Sequence, residues 1–118
     1  MSLDLESEWH NLAKSYTKDT LLVQQVFKQL VGSYSTKNRH YHNLIHIEAM
    51  LLAANQYKNE LKDIDSFKFA VWFHDAIYAI PSSKNEIRSA KLAIETLVKF
   101  EKITAPQLKN IERYVLDS

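Results

Sequence analysis

The sequence predicts an all-α domain, a compact helical bundle of about five or six helices. Gly32 is the only glycine among 118 residues, so the hairpin turns that need φ > 0 have few candidates. Apolar residues recur three and four positions apart in nearly every segment, the period of a helix with one buried face. Residues 1–118 carry no internal repeat, linker or low-complexity tract, and the length suits one domain with a single core.

Each helix has its own pattern. Leu5, Trp9, Leu12, Ala13 and Tyr16 define a first amphipathic helix. Leu22, Val23, Val26, Phe27, Leu30 and Val31 define a second, with Asp19 or Thr17 as N-cap. Gly32 is expected to fray it, and "GSYSTKNRH" reads as the loop that follows. A third helix is expected from about Asn43 to Gln56, with Leu44, Ile47, Leu51 and Ala54 on one side. Ser66 is the expected cap of a fourth, Phe67 to about Ile77, which is apolar over most of its circumference and therefore central to the core. Ser83 and Glu86 have capping-box spacing at the start of a fifth, continued by Ile87, Ala90, Ala93, Ile94, Leu97 and Val98. Thr104 and Pro106 start a sixth, with Leu108, Ile111, Val115 and Leu116 in register to the last residues and no stop signal.

Charge and composition exclude several classes. Fifteen basic against fourteen acidic residues leave a net charge of +1, which offers no field for nucleic acid or an acidic membrane. No cysteine is present, so thiolate metal sites and thiol nucleophiles are excluded and a reducing cytoplasm is the fitting compartment. One glycine cannot write a P-loop or a dinucleotide fingerprint. No apolar run approaches the roughly 20 residues that span a bilayer.

The histidines carry the chemistry. "RHYHNLIH", Arg39 to His46, holds three of the five, and "WFHDAIY", Trp72 to Tyr78, holds His74 directly before Asp75. His42 and His46 are four apart and share a face at a helix start. Two neutral imidazoles so placed can approach one divalent ion or one substrate, or can be an ordinary surface pair. Asp75 lies in the most apolar helix, where a carboxylate is costly without a partner. Either it reaches a cation near the helix end, or it turns outward to the following loop. His10, on the first helix, is expected to face solvent, and His40 is left as a surface residue.

In order, "RHYHNLIHIEAML", "AVWFHDAIY" and "NEIRSA" resemble a bacterial subfamily of the HD superfamily, described as metal-dependent phosphohydrolases. The resemblance is strong from about Arg39 to Ala90 and elsewhere rests on helix pattern. The first block is also similar to the "YHN..H" block of cyclic-nucleotide phosphodiesterases of the same superfamily. The resemblance implies an HD-type helical fold that hydrolyses a nucleotide or other small phosphorylated metabolite with a divalent metal ion. Manganese, iron, zinc, nickel and cobalt suit His/Asp ligation, and magnesium less well. It implies His46, His74 and Asp75 as metal ligands, with Asp75 able to bridge two ions, and His42 as general acid. Arg39, Asn85 and Glu86 would line the substrate side, Arg39 by gripping a phosphate through two donors. An exposed loop arginine and a capping Glu86 account for the same residues without chemistry, and Tyr41 and Tyr78 can line the pocket or simply pack.

The family pattern also needs a later aspartate. After Ala76 only Asp117 is present, and its position matches poorly. The expectation is therefore a domain without its C-terminal helices, holding one ion weakly and exposing apolar surface there that invites homodimerisation. The rival expectations are a non-catalytic HD-like module that binds a nucleotide or protein partner, and a helical interaction domain with incidental histidines.

Overall fold

Six of the chain's segments carry the helical period, and six helices form among the described residues. The computed structural model describes residues 4–35, 43–77 and 84–118. The helices are α1 (Leu5–Ala13), α2 (Thr20–Tyr34), α3 (Leu44–Gln56), α4 (Ile64–Phe73), α5 (Asn85–Leu97) and α6 (Ala105–Leu116). No strand forms among the described residues, and no helix there is long and apolar enough to cross a membrane. The all-α helical architecture is as the apolar spacing predicts.

Side-chain caps set most of the starts. The Asp4, Asp19 and Asn43 side chains accept first-turn amide protons of α1, α2 and α3. Thr104 and Gln107 close a reciprocal capping box on α6, with Pro106 in the first turn. Lys84 stands at the N-cap of α5 with no side-chain cap bond. Ser83, the expected cap, lies outside the described residues.

Helix α4 begins a turn earlier than expected. Asp63, not Ser66, is its N-cap and accepts from Ser66 N at 3.2 Å and from Ser66 Oγ at 2.6 Å. Ser66 is buried inside the first turn. Burial raises the Asp63 carboxyl, but its hydrogen bonds from Ser66 and Asn110 outweigh that and hold it below the usual aspartate value.

Helix α4 is the centre, with α3, α5 and α6 packed against it. Trp9 of α1 docks onto the same core, fully buried. Its ring stands edge-to-face with Phe69, Trp72, Phe73 and Phe100, centroids 5.8, 5.5, 6.4 and 6.3 Å away, a packing that favours the ring quadrupoles. Its indole N–H donates to Val23 O at 2.9 Å, so the large ring is buried without stranding its one donor. His10, expected in solvent, instead lays its ring 6.2 Å from Phe27, and its Nε2 is buried with no hydrogen-bond partner among the described residues.

Candidate metal centre

The site is built at the end of α4. A helix running on to Ile77 would send Asp75 N to Val71 O and Ile77 N to Phe73 O. Side chains intercept both. Val71 O accepts from His74 Nδ1 at 2.7 Å. Asp75 N donates to the Tyr34 hydroxyl at 3.1 Å, while that hydroxyl donates to Trp72 O at 3.0 Å. Ile77 N donates to Ser89 Oγ at 3.0 Å, and Phe73 O takes Ala76 N at 3.0 Å. The helix therefore stops at Phe73, with His74 as C-cap. Four residues expected in the helix, His74 to Ile77, form the turn that follows.

That turn overcomes the roughly 100° that separates neighbouring side chains on a helix. His74 Nε2 and Asp75 Oδ2 lie 3.0 Å apart, on side chains 7% and 18% exposed. A carbonyl only accepts, so Nδ1 of His74 carries a proton. In neutral imidazole Nε2 then points a lone pair at the Asp75 carboxylate. A proton on Nε2 or on the carboxyl makes this contact a hydrogen bond, and a cation held between the two groups would serve as well. The separation suits a shared ion, because adjacent donors at about 2.1 Å from one ion sit about 3 Å apart when they subtend roughly 90°.

His46 approaches from α3. Asn43 Oδ1 caps that helix, accepting from Ile45 N and His46 N at 3.0 and 3.4 Å. The cap places His46 in the first turn with its ring centroid 5.5 Å from that of His74 and tilted by 56°. Two helix ends of opposite polarity thus meet here. The C-terminus of α4 favours a cation, and the N-terminus of α3 favours an anion. Among the described residues, no three His, Cys, Asp or Glu side chains are gathered closely enough to hold a metal ion. The convergent pair is His74 and Asp75, with the His46 ring beside it.

The remaining expected residues divide by position. Asn85 and Glu86 are half-buried in the first turn of α5. Asn85 shares a stripe with Ser89, four residues on, which holds Ile77. Asp117, the C-cap of α6, lines a cavity of about 260 Å³ together with His74, so the last helix does bring a carboxylate to that side. Arg39, His40, Tyr41, His42 and Tyr78 lie outside the described residues.

Two positioning residues receive no role from the sequence pattern, although Ser89 lies within the "NEIRSA" block. The sequence pattern leaves Tyr34 in a loop and Ser89 at an undistinguished helix position, yet both are buried and both grip the turn. For Tyr34 a signal exists: Val23, Val26, Leu30 and Tyr34 continue one apolar stripe through Gly32. Comparison with protein-family models, curated proteins and solved structures finds no match to this chain.

Proposed function

We propose that this chain is a metal-dependent phosphohydrolase domain of the HD type, acting on a nucleotide or another small phosphate ester. The observation that carries the reading is the 3.0 Å approach of His74 Nε2 to Asp75 Oδ2, with Nδ1 already committed to Val71 O. A divalent ion supplied there would acidify a water ligand and neutralise phosphoryl oxygens.

The chain's own residues have distinct tasks in this reading. His74 presents Nε2 as ligand because Val71 O fixes its tautomer. Asp75 offers its carboxylate from a turn that Tyr34 holds. His46 adds an imidazole from α3. His42 is the proposed proton donor to the leaving oxygen, Arg39 the proposed phosphate grip, and Asn85 and Glu86 the proposed substrate side.

The test is metal retention by the purified chain. Calorimetric titration with manganese should give saturable binding, weakened at least about tenfold in His74→Ala and Asp75→Ala variants whose circular dichroism is unchanged. A native chain that binds manganese, iron, zinc, nickel and cobalt no better than Asp75→Ala does would overturn the proposal. Release of phosphate from p-nitrophenyl phosphate then separates the enzyme from the second reading, a non-catalytic nucleotide- or protein-binding module. That reading is favoured by the lack, among the described residues, of a gathered set of three ligands.

We propose α5 and α6 as the homodimer contact. Ile87, Val98 and Leu116 are exposed there, and Ile87, Ile94 and Leu116 line a cavity of about 340 Å³. Lys91, Glu95 and Glu112 flank it, so a two-fold arrangement can oppose unlike charges. Sedimentation equilibrium should show a dimer that Leu116→Asp converts to monomer, whereas a native monomer at high concentration rejects this placement.

A further inference from the structure

We infer that the cavity beside His74 binds an organic ammonium ion, a cation whose nitrogen carries methyl or other alkyl groups. The inference goes beyond the hydrolase reading and does not depend on it, because the site needs no metal.

The cavity, about 260 Å³, is lined by Met50 of α3, by Phe67, Ala70 and Val71 of α4, and by Tyr114 of α6, together with His74 and Asp117. Its charges favour a cation. Asp117 brings a carboxylate, and no lysine or arginine stands among the described lining residues. His74 adds no net positive charge, since the Asp75 carboxylate lies 3.0 Å from its ring. His74 and Asp117 are also the C-caps of α4 and α6, so two helix ends of negative polarity border one space. A carboxylate at the negative end of its own helix is unfavourable, and a cation beside Asp117 relieves that.

The aromatic pair adds to the attraction. Phe67 and Tyr114 stand edge-to-face in the lining, with centroids 5.5 Å apart and planes at 82°. Rings at nearly a right angle form a corner, and ring faces attract a cation within about 6 Å of their centroids. The Arg113 guanidinium carbon lies 5.7 Å from the Tyr114 centroid, yet Arg113 is not among the lining residues. Tyr114 therefore already serves as a cation's partner outside the cavity.

The remaining walls decide which cation fits. The side chains of Met50, Phe67, Ala70 and Val71 supply no oxygen ligand, so an inorganic ion would give up its water with too little to replace it. An alkylated ammonium spreads its charge over carbon substituents. Those substituents gain from leaving water for an apolar wall, while the charge keeps Asp117 and the rings as partners. An anion would meet Asp117 and both helix ends with the wrong sign.

The test is an NMR titration of the whole chain with choline, in a chelating buffer so that no divalent ion takes part. Choline should bind saturably and at least about fivefold more tightly than the neutral alcohol in which carbon replaces its nitrogen. Asp117→Asn, at an exposed position, should weaken choline binding about threefold and leave the neutral alcohol unaffected. Tyr114→Leu should remove most of the remaining preference for the charged probe. Thermal melts accompany both variants, and if Tyr114→Leu does not fold, Asp117→Asn and the neutral alcohol decide the matter. Equal binding of choline and the alcohol would reveal a cavity that selects only for apolar surface, and the inference fails. It fails too if choline does not bind, or if Asp117→Asn binds it as the native chain does. A chain that binds choline but no manganese loses the hydrolase reading and keeps this site.

Discussion

Tyr34 shows how much one buried hydroxyl can decide. It is 1% exposed, donates to Trp72 O and accepts from Asp75 N, so it holds the last turn of α4 and the residue after it in one grip. Tyr34→Phe keeps the ring and removes that bridge. The expected cost is about 1–3 kcal/mol of stability, together with weaker manganese binding, about tenfold, as Asp75 loses its orientation. Denaturant titration measures the first and calorimetry the second; a Phe variant equal to the native chain in both would show that the hydroxyl positions nothing. Residues of this kind leave little trace in a sequence. His74 and Asp75 announce themselves by chemical type, whereas a tyrosine and a serine gain their roles only from what the fold sets opposite them.

Helix α2 and helix α4 depart from expectation for opposite reasons. Gly32 is the expected end of α2, but the helix continues through it to Tyr34, because Tyr34 has a core position to fill and its burial outweighs a weak propensity. A Cβ added at Gly32 would meet nothing within 4 Å. Gly32→Ala should therefore stabilise the protein by about 0.5–1 kcal/mol, raising the urea midpoint without altering the slope of the transition. A destabilised Ala variant would mean that the helix does not run through this position. Helix α4, by contrast, ends before its apolar pattern does. Ala76 is buried yet non-helical, and burial pattern alone does not reveal that Tyr34 and Ser89 have captured the amides a longer helix would need.

Across the whole molecule, polar contacts join segments distant in sequence. Tyr16, just past α1, donates its hydroxyl proton to Asp65 in the first turn of α4 and accepts from Gln107 of α6 at 3.3 Å. Nearby, Lys102 N donates to Tyr16 O at 2.9 Å, and Glu101 accepts from Thr17 Oγ1 and Lys18 N at 2.8 and 3.0 Å. The α5–α6 connection is thus fastened to the α1–α2 connection. Burial, then the hydrogen bond to Asp65, pushes the Tyr16 phenol up from 10.0 to about 12. A folded-state value above the unfolded one means that the neutral phenol favours folding. Its contribution is complete below pH 10.0 and is lost as pH rises through about 12. Tyr16→Phe should cost about 1–2 kcal/mol at neutral pH and flatten the fall in stability across that alkaline window. Thermal melts of both proteins as a function of pH check this, and parallel curves through the window would refute it.

The helical class, the number of helices, the apolar face of each and the N-caps Asp19 and Thr104 are legible in the sequence. These depend on neighbours three or four positions away, and such neighbours are written along the chain. His46, His74 and Asp75 stand out there too, by residue type. Where α4 stops, that the imidazole and carboxylate just past its last turn converge, and that a cavity borders His74 emerge only when the helices pack. Those outcomes depend on Tyr34, Ser89 and Asp117 arriving from other helices, and no local period encodes which partner a folded chain will place across a gap.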